Sequence, residues 1–465
     1  MFSPDTFSDR RAALAGALAD GLVVVLGNED APMNYAGNLY PFRQDGSFRY
    51  YTGLDVPGLA LVLDTETGRA TLYGRDAGLE SRVWNGDTDS VADLAAQAGI
   101  DDTAAPEALA DAVGRARAAG RAVHVLPPYR DRQRLRLAEL LGVAPDAVTP
   151  SAALVDAEVA QRLVKTDAEV AQIEHALEIA AEMHLTAMWM AQPGVTEYEV
   201  AAAVEASARS HGSHPSFPPI VTTRGEVAHH TASGHVLAEG DLLLHDAGCV
   251  APETGYCSDV TRVSPVGGAF SDRQRAVYDV VLDAQTAAIE ACAPGVSFRD
   301  VHDLASLRIA DGLVGLGLLR GAPDDIVAAG AHAAFFTHGL GHALGLDVHD
   351  MEALGEDRVG YGDEATRSAQ FGTGYLRFAR ALRPGHVVTV EPGVYFNAAL
   401  LDQWQGEGRH AEFVDYDEAQ RWVGFGGVRI EDNVLVTDDG HRVLGPEIPK
   451  DPESVEDAVR SGAEA

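Results

Sequence analysis

Cysteine is scarce in this chain: Cys249, Cys257 and Cys292 are the only three among 465 residues. An odd, sparse count excludes a disulfide framework and points to a reducing compartment. The three read as small buried thiols, and catalysis by cysteine gains no support. Basic residues are also few. Lys+Arg 35 against Asp+Glu 70 leaves a formal net charge of −35, a surface that repels nucleic acid and anionic membranes. Long apolar runs are missing. The nearest to one, RRAALAGALADGLVVVLG close to the N-terminus, has the paired arginines of an export signal. Asp20 and Gly21 interrupt it, however, and it is too short to span a bilayer. A first helix followed by a first strand is the expectation. Together these absences predict a cytoplasmic protein with neither nucleic-acid nor membrane partners. The HExxH pattern of helical zinc proteases is absent too.

A hydrophobic fraction of 46% supports well-packed domains, and the chain is too long for one ordinary core. Residues 1–155 are expected to form an α/β unit. Within it, GLALVLDTETGRATLYG reads as a hairpin around a Thr-Gly turn, and RAVHVLPP as a strand ended by prolines. From Asp167 to about Met190, apolar residues recur at helical spacing, with Thr166 or Asp167 as the cap. A second unit, residues 156–450, would carry the chemistry. The small acidic stretch 451–465 reads as a mobile or loosely helical tail.

Chemistry-bearing residues collect in that second unit. In GGVRIEDNVLVT, strand alternation turns Val428 and Ile430 to one face and Arg429 and Glu431 to the other. Burying unpaired charge is costly, so a charged pair on an apolar strand calls for a partner. Thr389 and Glu391 share a face in HVVTVEPGVYF, and the leucines of GDLLLHDAGC end in Asp246. Cys257, Asp259 and Thr261 share a face in GYCSDVTRV. Taken singly, each acid could be a turn or cap residue. HGLGHALGLDVHD weighs against that, because His338, His342 and His349 among glycines are hard to explain as core packing. One histidine would ligate a metal and another could hold a developing oxyanion. Four carboxylates and one imidazole favour a hard or borderline divalent ion, and carboxylates can bridge a pair of ions.

The segments AHHTASG, DLLLHDAG, GYCSDVTR, HGLGHALGLDVHD, TVEPGVYF and GGVRIEDNVLVT resemble, in order, those of the pita-bread metallopeptidases. That family includes methionine aminopeptidase, aminopeptidase P and prolidase. YPFRQDGSFRYYTGL is similar to the first domain of the proline-specific branch. The resemblance implies an N-terminal α/β domain followed by a pita-bread catalytic domain, an α/β (α+β) fold, and at least a homodimer. It implies two divalent ions, manganese first, with cobalt or zinc as alternatives. Asp246 and Asp259 would be ligands with Asp259 bridging, His342 and Glu391 ligands, and Glu431 a second bridge. Glu391 would also accept the proton of the attacking water. His229 and His349 match histidines that act on the substrate, and His338 would line its pocket. Arg429 would support the ligands. Arg377 falls on the prolidase arginine that grips the carboxylate of a C-terminal proline, a task suited to a planar guanidinium.

The expected activity is hydrolysis of the Xaa-Pro bond in short proline-containing peptides, as Xaa-Pro dipeptidase, Xaa-Pro aminopeptidase, or both. The alternatives are a methionine-aminopeptidase-like exopeptidase and a non-peptidase member of creatinase-like or binding type. Two departures leave the shape of the leaving-side pocket open. HDMEALGEDRVGYGDE replaces a shorter run, and two extra residues lie between Asp246 and Asp259.

Overall fold

The computed structural model describes residues 2–463. The chain forms two compact units. One is Met1–Arg162 with Met351–Val359, and the other is Leu163–Asp350 with Gly360–Ala465.

The first unit is built on β1 (Gly21–Leu26), β2 (Ala60–Asp64), β3 (Ala70–Tyr73), β4 (Asp102–Ala104) and β5 (Ala122–Val125). Their order is β4-β3-β2-β1-β5. β1 runs parallel to β5 and antiparallel to β2, whose hairpin partner is β3. The sequence that imitates an export signal is the helix Pro4–Ala17 followed by β1. Its arginines are buried, and Arg11 donates to the carbonyls of Tyr51 at 2.7 Å and Ala98 at 2.9 Å. These guanidiniums tie off carbonyls at the C-terminal ends of two helices, which have no partner within the helix.

In the second unit a long helix, Asp167–Trp189, opens on a capping box. The Thr166 side chain accepts from the Glu169 N–H, and the Glu169 carboxylate accepts from the Thr166 N–H. Three small sheets follow. One has the order β6 (Ile220–Thr222), β7 (Leu242–Ala247), β8 (Val260–Pro265). The second joins β9 (Val387–Val390), β12 (Asp432–Val436) and β13 (His441–Val443), and the third pairs β10 (Gly393–Tyr395) with β11 (Gly427–Arg429). Single bridges, Thr261 to Glu431 and Ala343 to Val388, stitch the segments together. Helix Asp272–Ala291 covers this framework, burying Val277, Tyr278 and Val281 against Leu242, Leu244 and Val263.

The expectation of a mobile or loosely helical tail is corrected. Pro452–Ala463 is a helix with Val455 and Val459 fully buried. Its acidic composition hid a narrow apolar stripe at i, i+4 spacing. Polar ties add to that stripe: Gln192 donates to the Val459 carbonyl at 2.7 Å, and Arg460 to that of Gly268 at 2.8 Å. No helix among the described residues is long and apolar enough to cross a membrane. All three cysteines are buried, and none is in a disulfide. Burial pushes the thiols of Cys249 and Cys292 up to about 11 and about 12, which suits inert core residues.

Candidate metal centre and substrate pocket

The four predicted carboxylate ligands lie at or beside strand ends for a local reason. Each adjoins an apolar strand next to a small residue or a break, so its carboxylate is presented at the edge of the regular sheet. Asp246 is the penultimate residue of β7, and Asp259 immediately precedes β8. Glu391 follows β9, and Glu431 sits in the gap between β11 and β12. Gly248 lets the first two segments approach, since a Cβ there would lie 1.9 Å from the Ser258 carbonyl oxygen. Gly341 does the same before His342, where a Cβ would lie 2.0 Å from the Thr389 carbonyl oxygen. The His342 amide then donates to Thr389 Oγ1 at 3.1 Å.

All ten predicted site residues line one cavity of about 600 Å³: His229, Asp246, Asp259, His338, His342, His349, Arg377, Glu391, Arg429 and Glu431. Within it, three overlapping trios could each hold an ion: Asp246, Asp259 and Glu431; His342, Glu391 and Glu431; and Asp259, His342 and His349. His342 Nε2 lies 3.3 Å from Asp259 Oδ2 and 3.8 Å from Glu391 Oε1. His342 Nδ1 faces the Ala343 carbonyl at 3.0 Å. A carbonyl can only accept, so Nδ1 carries the proton and the Nε2 lone pair points at the carboxylates, as metal ligation requires.

Electrostatics also favour a cation. Burial, reinforced by the Asp246 charge, raises Asp259 well above the usual carboxylate range. Burial likewise raises Glu431, with the charges of Asp259 and Glu391 adding to it. Glu391 is pushed up by burial to about 8, although the Arg429 charge pulls the other way. Asp246 Oδ1 is buried and has no hydrogen-bond partner. An orphaned carboxylate oxygen among crowded acids, with an imidazole nitrogen turned towards them, fits divalent ions bound by oxygen and nitrogen.

Arg429 partly balances the charge. It donates to Asp246 Oδ2 at 2.5 Å, to Thr261 Oγ1 at 3.1 Å and to the Tyr395 hydroxyl at 3.1 Å. Thr261 in turn donates to Glu431 Oε2 at 2.7 Å. Tyr395 was missed by the sequence reading, although it lies four residues after Glu391 on the same strand run. Its hydroxyl meets His338 Nε2 at 2.7 Å, while His338 Nδ1 donates to the Gly339 carbonyl at 2.7 Å. Burial and the Arg429 charge hold His338 down to about 3, so it is a neutral acceptor. The His349 ring stands 4.0 Å from that of His342, centroid to centroid. Phe217, Pro218, Val348 and Tyr375 supply an apolar lining that strand-end logic could not foresee.

The chain matches metallopeptidase family M24 over residues 171–438 and the aminopeptidase P N-terminal domain over residues 7–124. It therefore belongs to the M24 metallopeptidases, in the two-domain form with an N-terminal α/β domain and a C-terminal pita-bread domain. Among its relatives, Xaa-Pro aminopeptidase of Escherichia coli is 30% identical, covering 98% of this chain and 97% of that protein. Human Xaa-Pro dipeptidase is 32% identical, covering 94% of this chain and 88% of that one. Aminopeptidase PepP of Pseudomonas aeruginosa has a solved structure similar at a TM-score of 0.82 and 29% identity, covering 100% of this chain and 99% of that chain. An Escherichia coli aminopeptidase P variant in complex with substrate matches at 0.80 and 28%, with both chains covered in full.

Proposed function

We propose that this chain is a metal-dependent exopeptidase that hydrolyses the bond between a first residue and a following proline. It would act as an Xaa-Pro aminopeptidase that also accepts Xaa-Pro dipeptides. The observation that carries this is the convergence of Asp246, Asp259, His342, Glu391 and Glu431 on one cavity. Relatives named for Xaa-Pro aminopeptidase and dipeptidase support it.

In this reading Asp246, Asp259, His342, Glu391 and Glu431 would hold two divalent ions, Asp259 and Glu431 each belonging to two of the ligand trios. Manganese suits the donor set, with cobalt or zinc as alternatives. When bound, the ions supply Lewis acidity and lower the pKa of a water at neutral pH. Glu391 takes the proton of that water and returns it to the departing proline nitrogen. His349 donates to the oxygen of the reacting carbonyl, and His229 contacts the peptide near the site. The Tyr395 hydroxyl and the Gly339 carbonyl fix the His338 ring in the pocket wall. Arg429 donates to Asp246 Oδ2 and orients that carboxylate. An amide before proline has no N–H, so the pocket selects it by shape rather than by accepting a hydrogen bond. Arg377 receives the carboxylate of a C-terminal proline. The enzyme would be cytoplasmic, in keeping with cysteines that form no disulfide, and at least a homodimer, which light scattering would read.

The direct test is hydrolysis of Ala-Pro, Ala-Pro-Ala and Ala-Ala-Ala by metal-loaded enzyme. Cleavage of the first two and not the third is expected. Equal cleavage of all three would remove the proline assignment.

A further inference from the structure

Asp246 is flanked by a buried polar chain that neither the ligand set nor the pocket uses. His245 precedes it on β7, and the Ala247 carbonyl follows it. Both meet His184, which projects from the helix Asp167–Trp189. His184 and His245 are buried and their rings lie 5.0 Å apart. His184 Nε2 lies 3.0 Å from the Ala247 carbonyl oxygen, and the two Nδ1 atoms are 2.9 Å apart. His245 Nε2 lies 3.0 Å from Ser264 Oγ on β8.

The acceptor at one end fixes the direction of every bond. A carbonyl oxygen accepts, so His184 Nε2 carries a proton and, in the neutral ring, Nδ1 does not. His184 Nδ1 therefore accepts from His245 Nδ1–H. His245 Nε2 is left as an acceptor for the Ser264 hydroxyl. The result is a one-way chain from Ser264 through His245 and His184 to the Ala247 carbonyl, with every polar atom satisfied. Two neighbouring strands and one helix are tied to the residues on either side of Asp246, through the ring of His245 and the carbonyl of Ala247. Leucines elsewhere on β7 pack without such ties. A fully satisfied buried network specifies one geometry, where apolar packing tolerates several.

We propose that His184 and His245 are positioning residues for Asp246. By tying the residues on either side of it, they aim its carboxylate into the metal centre and so set metal affinity. This rests on the metal-centre reading above, and the test separates the two.

Manganese binding to purified, chelator-stripped protein is measured by calorimetry, and urea unfolding is measured on the same samples without metal. Asp246→Asn serves as the control for the centre itself. The paired variant His184→Leu with His245→Leu removes the chain and leaves the Ser264 hydroxyl and the Ala247 carbonyl without these partners, so some loss of stability is expected, and the urea unfolding reads it separately. Its manganese affinity should fall about tenfold or more, the usual effect of removing groups that orient ligands. His184→Gln should restore wild-type affinity, because the amide oxygen can accept from His245 and the amide N–H can donate to Ala247. Unchanged affinity in the paired variant would overturn the proposal. So would an affinity loss in all variants that tracks the loss of stability alone, since that would mark the pair as ordinary core. If Asp246→Asn left manganese binding untouched, the metal-centre reading would fail instead.

Discussion

Replacing Arg429 by Met should destabilise the metal-free protein and leave the metal-loaded protein much less affected. Arg429 is buried and donates to Asp246, Thr261 and Tyr395. Methionine keeps most of the stem volume and removes the charge. Breaking a buried ion pair from one side costs about 3–5 kcal/mol, because the remaining charge has no compensation. Here the other oxygen, Asp246 Oδ1, already lacks a donor, so little is available to soften the loss. The expected deficit is therefore about 3–5 kcal/mol, a factor of roughly a hundred to several thousand in the unfolding constant. Urea unfolding in chelator, followed by tryptophan fluorescence, reads it well, since Trp404 and Trp422 are buried in the second unit. Saturating manganese should narrow the gap, because the ions supply the missing positive charge. A chelated variant within about 1 kcal/mol of wild type would refute the view that the guanidinium compensates these acids.

Exhaustive chelation should abolish peptidase activity, and manganese should restore it. Glu391→Gln should lower kcat by roughly a hundredfold to ten-thousandfold, the usual worth of a proton acceptor, with folding intact by circular dichroism. Arg377→Ala should lower kcat/KM for Xaa-Pro about tenfold to a hundredfold relative to Xaa-Pro-Xaa, the range for a charge-assisted bidentate pair; an unchanged ratio would mean that Arg377 does not grip a carboxylate. Acid should destabilise the second unit through buried imidazoles. Burial pushes His302 well below its ordinary value, His332 down to about 4 and His386 down to about 3. The unfolded chain binds protons near 6.5 and the folded chain does not, so this stability is full above about pH 6.5 and is lost as pH falls towards 4. The raised Asp259, Glu391 and Glu431 titrate the other way, so the measurement is a difference in slope: the unfolding free energy of His302→Phe should fall less steeply from pH 7 to 5 than that of wild type, and equal slopes would exclude the mechanism.

The candidate ligands were legible because carboxylates at the ends of apolar strands, and histidines between glycines, break the periodicity that a plain core would keep. All ten candidate residues line one cavity. The hairpin of the first unit and the cap at Thr166 were legible from local turn and capping chemistry alone. The apolar lining at Phe217, Pro218 and Tyr375 was not, since nothing local distinguishes those residues from any other packing residue. Tyr395 escaped for a related reason: a tyrosine in a buried strand looks like core until its hydroxyl is seen between His338 and Arg429. The C-terminal stretch was expected to be mobile or loosely helical; the firm packing of its helix was hidden, because two valines four residues apart are a weak signal among acids and small residues.

The histidine at 245 shows where reading by strand alternation runs out. Alternation turns Asp246 towards the cavity and its neighbours away from it, and says nothing further about those neighbours. In a β-strand that opposite face usually meets apolar packing, and a leucine at 245 would satisfy every local rule. An imidazole there makes sense only with a second imidazole from a helix 61 positions earlier and a serine from the next strand. Such a chain costs desolvation and returns geometric uniqueness. The residue that gains from uniqueness is the one between its two anchors. Asp246 accepts Arg429 with one oxygen and holds the other free, so a small rotation would exchange the ion's ligand for the guanidinium's partner. A strand end that must keep those two oxygens distinct has a physical use for polar ties that a leucine core could not provide.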